Sequence, residues 1–168
     1  PGSGSLLLKV ADEAGKSISI YGQENDNATR ALAVMNMWLH GNPASEIVQG
    51  NTLASPQFTD ESTGELKQFD YAVANPPFSH KAWMNGWNPA NDIYKRFEGY
   101  NALPPKKNGD YAFLLHLIKS LKSKGKGCIV MPLGVLFRGN TEADLRKKII
   151  QKGYIKGIIG LPPNLFYG

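Results

Sequence analysis

The stretch Asp70-Tyr71-Ala72-Val73-Ala74-Asn75-Pro76-Pro77-Phe78-Ser79 (DYAVANPPFS) starts as a buried strand and breaks off at an amide, two prolines and an aromatic ring. Pro76 and Pro77 lack an N–H and have a fixed φ, so neither continues a central strand. A residue before a proline is driven to extended geometry, which holds Asn75 rigidly at the strand's carboxyl end. In an open α/β sheet, ligands bind at that end.

The flanking sequence supplies the rest of such a sheet. Apolar spacing predicts helices over residues 6–14, ending at Gly15, and from Asn27, as the cap, to the glycine at 41. Helices are also predicted over 110–124 and 142–151. Strands are predicted over 17–21, 46–49, 69–74, 127–131 and 154–160. This alternation predicts an α/β fold with a mostly parallel sheet covered by helices on both faces. Residues 75–108 lack periodicity and are rich in Asn, Pro, Gly and aromatics; a loop of that length is functional or mobile.

With 168 residues, of which 42% are hydrophobic, the chain is large enough for one domain with a substantial core. The single cysteine, Cys128, rules out an intrachain disulfide and a cysteine metal cluster, and its place in the run CIVMP reads as a buried small hydrophobe. No run approaches the roughly 20 apolar residues of a membrane helix, and no signal-peptide pattern is present. A soluble cytoplasmic setting is the expectation. The net charge of +5 is compatible with a polyanionic partner. Lys106-Lys107, the group Lys119, Lys122, Lys124 and Lys126, and Arg146-Lys147-Lys148 concentrate that charge; lysines at a helix end equally complement its dipole.

The chemistry of Asn75-Pro76-Pro77-Phe78 suits a planar amino group. The lone pair of an exocyclic amine on an aromatic base is delocalised into the ring, so the amine is a poor nucleophile. Two acceptors on its two N–H bonds hold the nitrogen and favour the pyramidal geometry that frees the lone pair. The Asn75 side-chain carbonyl and the Pro76 backbone carbonyl are such acceptors, and the proline rings fix their spacing. Phe78 can stack on a base drawn out of a helix. The bland alternative is a structural Asn-Pro turn.

These residues match the [DNS]-P-P-[YFW] signature of amino-group methyltransferases that use S-adenosylmethionine. Gly2-Ser3-Gly4-Ser5-Leu6-Leu7, Tyr21-Gly22-Gln23-Glu24, Gly50-Asn51-Thr52-Leu53 and Leu161-Pro162-Pro163-Asn164-Leu165-Phe166-Tyr167-Gly168 extend the match nearly end to end. The chain thus resembles the modification subunit of type I restriction-modification enzymes, which are N6-adenine DNA methyltransferases. The resemblance implies a Rossmann-like fold, duplex DNA as substrate, and specificity and restriction subunits as partners. It implies that Asn75, Pro76 and Pro77 hold the amine and that Phe78 stacks. It further implies that Gly2, Ser3 and Gly4 form the tail of the cofactor loop, that Glu24 holds the ribose, and that Asn51 and Thr52 flank the adenine ring of the cofactor.

Two departures from the family pattern stand out. Asn51 occupies a position where the family often has aspartate. The family loop also follows a strand carrying an aspartate and a proline, whereas here only Pro1 precedes Gly2. The expectation is a catalytic-domain fragment over 1–168, lacking the first strand and a C-terminal part, with exposed sheet edges that offer a route to a homodimer. His80 lies two residues beyond Phe78 but has no necessary role, because solvent can take the amine proton. Trp83, Trp87, Tyr94 and Tyr100 interleave with Lys81, Lys95 and Arg96; this pattern either holds an unstacked nucleotide strand or forms a packed cluster. Two other readings stay open. One is methyl transfer to another amino group, such as a protein glutamine or an RNA guanine, and the other is a non-catalytic binding module.

Overall fold

A computed structural model describes residues 2–15, 18–163 and 165 of the chain. Helix α1 (Ser5–Ala14) begins after Gly4, at φ 83°, and stops at Gly15, at φ 79°. Its Leu8 and Ala11 lie one turn apart and pack with Ala33 and Met37 of α2 (Asn27–Leu39), together with Ile20 and Ile47. The N-cap of α2 is Asp26, one residue before the expected Asn27. Its Oδ1 accepts from the Thr29 N–H at 2.7 Å and the Thr29 hydroxyl at 2.6 Å, a carboxylate at the positive end of the helix.

Gly4 allows α1 and α2 to approach each other. A Cβ there would meet Met37 Cε at 2.9 Å and Ala33 Cβ at 3.4 Å, on top of the left-handed φ. Gly4→Ala is expected to destabilise the fold by about 1–3 kcal/mol in a urea titration. Gly139→Ala, where a Cβ meets nothing within 4 Å, is expected to stay within about 0.5 kcal/mol of the parent chain.

Strand β1 (Tyr21–Glu24) pairs in parallel with β2 (Glu46–Gln49), Tyr21 opposite Glu46. The strand expected over 17–21 is therefore shifted: Ser17 lies outside the described residues, and pairing starts where the Glu46 N–H meets the Ile20 carbonyl at 2.9 Å. The four-residue partner sets the length, not the alternation of the sequence.

Strand β3 (Phe69–Ala74) pairs in parallel with β4 (Leu121–Ile129). Between them, α3 (Asp110–Lys119) ends sooner than its apolar pattern predicts. The Ser120 N–H closes the helix on the His116 carbonyl at 3.0 Å, and the Ser120 carbonyl accepts the Phe69 N–H at 2.8 Å. Lys122, Lys124 and Lys126 consequently lie on a strand rather than around a helix end, because ladder pairing outweighs the helical preference of lysine. The register slips between Phe69↔Leu121 and Tyr71↔Lys126. Gly125 lies in that irregularity, where a Cβ would sit 2.9 Å from the Phe69 carbonyl oxygen.

The α/β class and parallel pairing agree with the sequence reading. Among the described residues the strands form two separate two-stranded sheets, because no described strand lies between β1 and β3. Helix α2 packs on β1 and β2, and α3 packs on β3 and β4. Much of the second sheet remains open: Tyr71 is exposed, and so is Cys128, against the expectation of a buried thiol. Residues 154–160 form no strand, and Ile158 and Ile159 face solvent, because no described strand is there to pair with them. Helix α4 (Thr141–Gln151) forms as expected.

The larger core gathers around α3. Tyr111, Ala112 and Leu115 pack with Leu145 and Ile149 of α4, with Leu53 and Val135, and with Trp83, Phe97 and Tyr100 from the long loop. The loop over 75–108 is therefore core-forming, with a short 3-10 turn at Pro89–Asn91.

Candidate functional site

Strand β3 delivers Asn75 to a cavity of about 890 Å³ between the two sheets. One wall carries Tyr21, Glu24, Asn51, Thr52 and Leu53, and the other Ala74, Asn75, Pro76 and Pro77. The cavity lining runs along β1 and β3 from Tyr21 and Phe69 to their carboxyl ends, and that carboxyl end, with Glu24, Asn51 and Asn75, is the position that ligands of parallel sheets favour.

Glu24 closes β1. Its Oε2 accepts the Gly2 N–H at 2.9 Å and its Oε1 accepts the Asp26 N–H at 3.1 Å. Burial pushes its pKa up while these N–H donors pull it down, and the balance lies below the ordinary glutamate value. An ionised carboxylate on the cavity wall suits the hydroxyls of a ribose. Asn51 Oδ1 accepts from the Leu53 and Ala54 N–H groups at 3.0 and 3.1 Å, shaping the turn that presents Thr52. An aspartate would accept the same two bonds, so the amide is a physically tolerated replacement.

The other sequence-identified residues are distributed unevenly. Gly2 lines the cavity; Gly4 packs on α2, and the Ser3 hydroxyl pairs with that of Ser5 at 2.8 Å. Phe78 stands outside the cavity lining, a residue 46% exposed and open to a base arriving from solvent. His80 lines the cavity. Pro1, Asn164, Phe166, Tyr167 and Gly168 lie outside the described residues.

The aromatic–cationic pattern of the long loop resolves as packing. Trp83 and Tyr100 are buried. Arg96 is equally enclosed, forms an ion pair with Asp92 at 2.7 Å, and stacks 4.5 Å from the Trp87 ring. Its Nη1 lies 3.3 Å from His116 Nδ1. Burial, and then the Arg96 charge, push the His116 pKa far below its ordinary 6.5, against a smaller upward pull from Asp92. The unfolded chain then takes up a proton that the folded chain refuses. Stability is expected to be full above pH 6.5 and to fall below it, by at most about 1.4 kcal/mol per pH unit. Thermal denaturation between about pH 6.5 and 5, above most carboxylate titrations, should show this slope, and His116→Gln should flatten it.

Three residues that the sequence reading did not single out support the site. Asp110 Oδ1 accepts the Ser79 N–H at 2.8 Å and its Oδ2 pairs with Arg138 Nη2 at 2.5 Å; Arg138 Nε in turn donates to Glu142. Burial of Arg138 itself pulls its pKa down, but the hydrogen bonds and charges of Glu142 and Asp110 outweigh this and hold it above its ordinary value. The only sequence signal was the Asn108-Gly109-Asp110 helix start, which reads as capping alone.

A family model described as N-6 DNA Methylase matches residues 1–168. The chain is 31% identical to a type I restriction enzyme MjaIX methylase subunit of Methanocaldococcus jannaschii, covering 99% of this chain and 30% of that protein. It is 34% identical to the MpnII methylase subunit of Mycoplasma pneumoniae, covering 98% and 32%. Among solved structures, a type I restriction-modification system methyltransferase subunit from Streptococcus thermophilus is 39% identical, with a TM-score of 0.80. That match covers 98% of this chain and 35% of the solved one. The chain thus spans about a third of the length of these relatives.

Proposed function

The chain belongs to the N-6 DNA methylase family, and from that premise we propose that residues 1–168 carry the catalytic domain of a DNA adenine-N6 methyltransferase. The observation that carries this reading is the single cavity lined by Glu24, Asn51 and Thr52 on one side and by Asn75, Pro76 and Pro77 on the other. Bound S-adenosylmethionine would supply a methyl group activated on a sulfonium.

Glu24 accepts the ribose hydroxyls, with Gly2 beside it, and Asn51 and Thr52 border the adenine of the cofactor. The target adenine leaves the duplex, since its amino group is otherwise paired, and stacks on Phe78. The Asn75 side-chain carbonyl and the Pro76 carbonyl take the two N–H bonds. As positive charge grows on that nitrogen, both acceptors bind it more strongly, so the gain is larger in the transition state. Solvent at the open mouth takes the surplus proton.

Relatives named as methylase subunits of type I restriction enzymes support an assembly with a specificity and a restriction subunit. We assign base-specific reading to the former, and the gap between β1 and β3 to the first strand that the resemblance implies. No described helix is long and apolar enough to cross a membrane.

Calorimetric titration with S-adenosylmethionine tests the pocket. Glu24→Ala is expected to weaken binding about 10- to 100-fold, the loss of one or two charged hydrogen bonds. Equal affinity would overturn the ribose assignment. Transfer of labelled methyl to adenine-containing DNA, in competition with RNA and a glutamine peptide, tests the acceptor. Label on either competitor in preference to DNA would overturn the adenine reading.

A further inference from the structure

Asp110 opens α3 with a side chain only 1% exposed, although nothing in the amine chemistry calls for a buried acid there. Its two oxygens face in different directions. One accepts the N–H of Ser79, the residue directly after Asn75-Pro76-Pro77-Phe78; the other holds Arg138, which follows the segment leaving β4. Ser79 has φ 51°, a conformation that few residues other than glycine adopt without support. A second tie lies beside the first, where the Gly109 N–H donates to the His80 carbonyl at 3.1 Å.

We propose that Asp110 is a positioning residue for the amine-binding loop. It locks the exit from β3 to the exit from β4 and thereby sets where the Asn75 and Pro76 carbonyls stand. The inference rests on the methyl-transfer reading above. The two prolines transmit the constraint: with φ fixed at Pro76 and Pro77, a tether at Ser79 leaves little freedom back to Asn75. Arg138 forms the far side of the lock. Its Nε donates to Glu142, whose other oxygen, Oε1, is buried with no partner among the described residues. Arg146 donates to the carbonyls of Val135 and Arg138 at 3.0 and 3.1 Å and so holds the segment that carries Arg138. Of Asp110, Arg138 and Glu142, Asp110 is the one whose side chain hydrogen-bonds to the loop.

Three variants separate positioning from mere stability. Asp110→Asn keeps one acceptor but turns an NH2 toward a donor, so one of the two ties is lost. Asp110→Glu retains the charge and both acceptors while displacing them by a methylene, which keeps the test open if the amide variant folds poorly. Glu142→Gln disturbs the same buried cluster without touching Ser79. In hydrogen exchange, Asp110→Asn is expected to speed exchange at residues 78–80 at least about tenfold relative to α4, and Glu142→Gln is expected to leave it unchanged.

Methyl transfer by either Asp110 variant is expected to lose up to about a hundredfold in kcat, with KM for S-adenosylmethionine within about twofold, the signature of misplacement rather than lost binding. Equal protection of residues 78–80 in the parent chain and Asp110→Asn would overturn the lock. Faster exchange with unchanged kcat would overturn the positioning role, as would an equal kcat loss in Glu142→Gln. A subunit of its relatives' full length that carries this segment and methylates no amino acceptor would sink the methyl-transfer reading, and exchange would still judge the lock.

Discussion

Replacing Asn75 by alanine is expected to lower kcat for adenine methylation by about two to three orders of magnitude, leaving S-adenosylmethionine affinity nearly unchanged. The expectation follows from position. Asn75 directly follows β3, where the Val130 N–H still holds the Ala74 carbonyl at 3.0 Å, and Pro76 and Pro77 close the other side. The amide carbonyl is therefore carried on a rigid strand end and costs little reorganisation as charge develops on the amine. Removing it deletes an acceptor whose grip is strongest in the transition state, so the loss should fall on kcat rather than on cofactor binding. Glu24, Asn51 and Thr52 stand on the opposite wall of the cavity and are untouched. Asn75→Asp, which the family signature admits, should retain measurable transfer. A kcat loss in Asn75→Ala smaller than about tenfold, or ~1.4 kcal/mol, would remove Asn75 from the catalytic machinery.

Trp83→Ala is expected to destabilise the fold by about 3–5 kcal/mol, lowering Tm by roughly 6–20 °C for a chain of this size. Trp83 is 1% exposed, and its Nε1 donates to the Pro105 carbonyl at 3.0 Å, binding the two ends of the long loop together. Its ring meets Trp87 and Phe97 edge-on at 5.9 and 6.5 Å between centroids. Gly109 presses against it: a Cβ there would lie 2.7 Å from Trp83 Cβ, so the start of α3 is seated on this side chain. Truncation would leave a cavity between the loop and α3 and would take one of two donors from the Pro105 carbonyl, which keeps the Asn108 N–H at 3.0 Å. Phe137→Ala, at a residue 70% exposed, should change stability by no more than about 0.5 kcal/mol. A Trp83→Ala chain that melts within a few degrees of its parent would show that the loop is not core. It would also restore the alternative of an exposed, nucleotide-holding aromatic surface.

The two predictions mark different depths of sequence legibility. Asn75 was readable because its chemistry is local: an amide, two fixed φ angles and an aromatic ring in one unbroken run after an apolar strand. The helix limits at Gly15 and the strands at 46–49 and 69–74 were readable for the same reason, since each depends on residues within a turn or two. The seating of Trp83 was not, because an aperiodic loop carries no signal of what its aromatics face. The ends of α3 and β1 were misplaced because pairing with a distant strand, not local preference, decided them.

By itself, then, the sequence determined the α/β class, the parallel strand character and the family, and it singled out Asn75-Pro76-Pro77-Phe78 as the run proposed to bind the amine. All of these rest on short-range stereochemistry and on motifs whose residues are neighbours in the chain. Only the tertiary structure decided that Glu24 and Asn75 share one cavity, that Cys128 is exposed, and that the loop over 75–108 belongs to the core. It alone revealed Asp110, whose ties to Ser79 and Arg138 span 31 and 28 residues. Hydrogen bonds and packing depend on distance in space, and separations of that length leave no periodicity for a sequence to display.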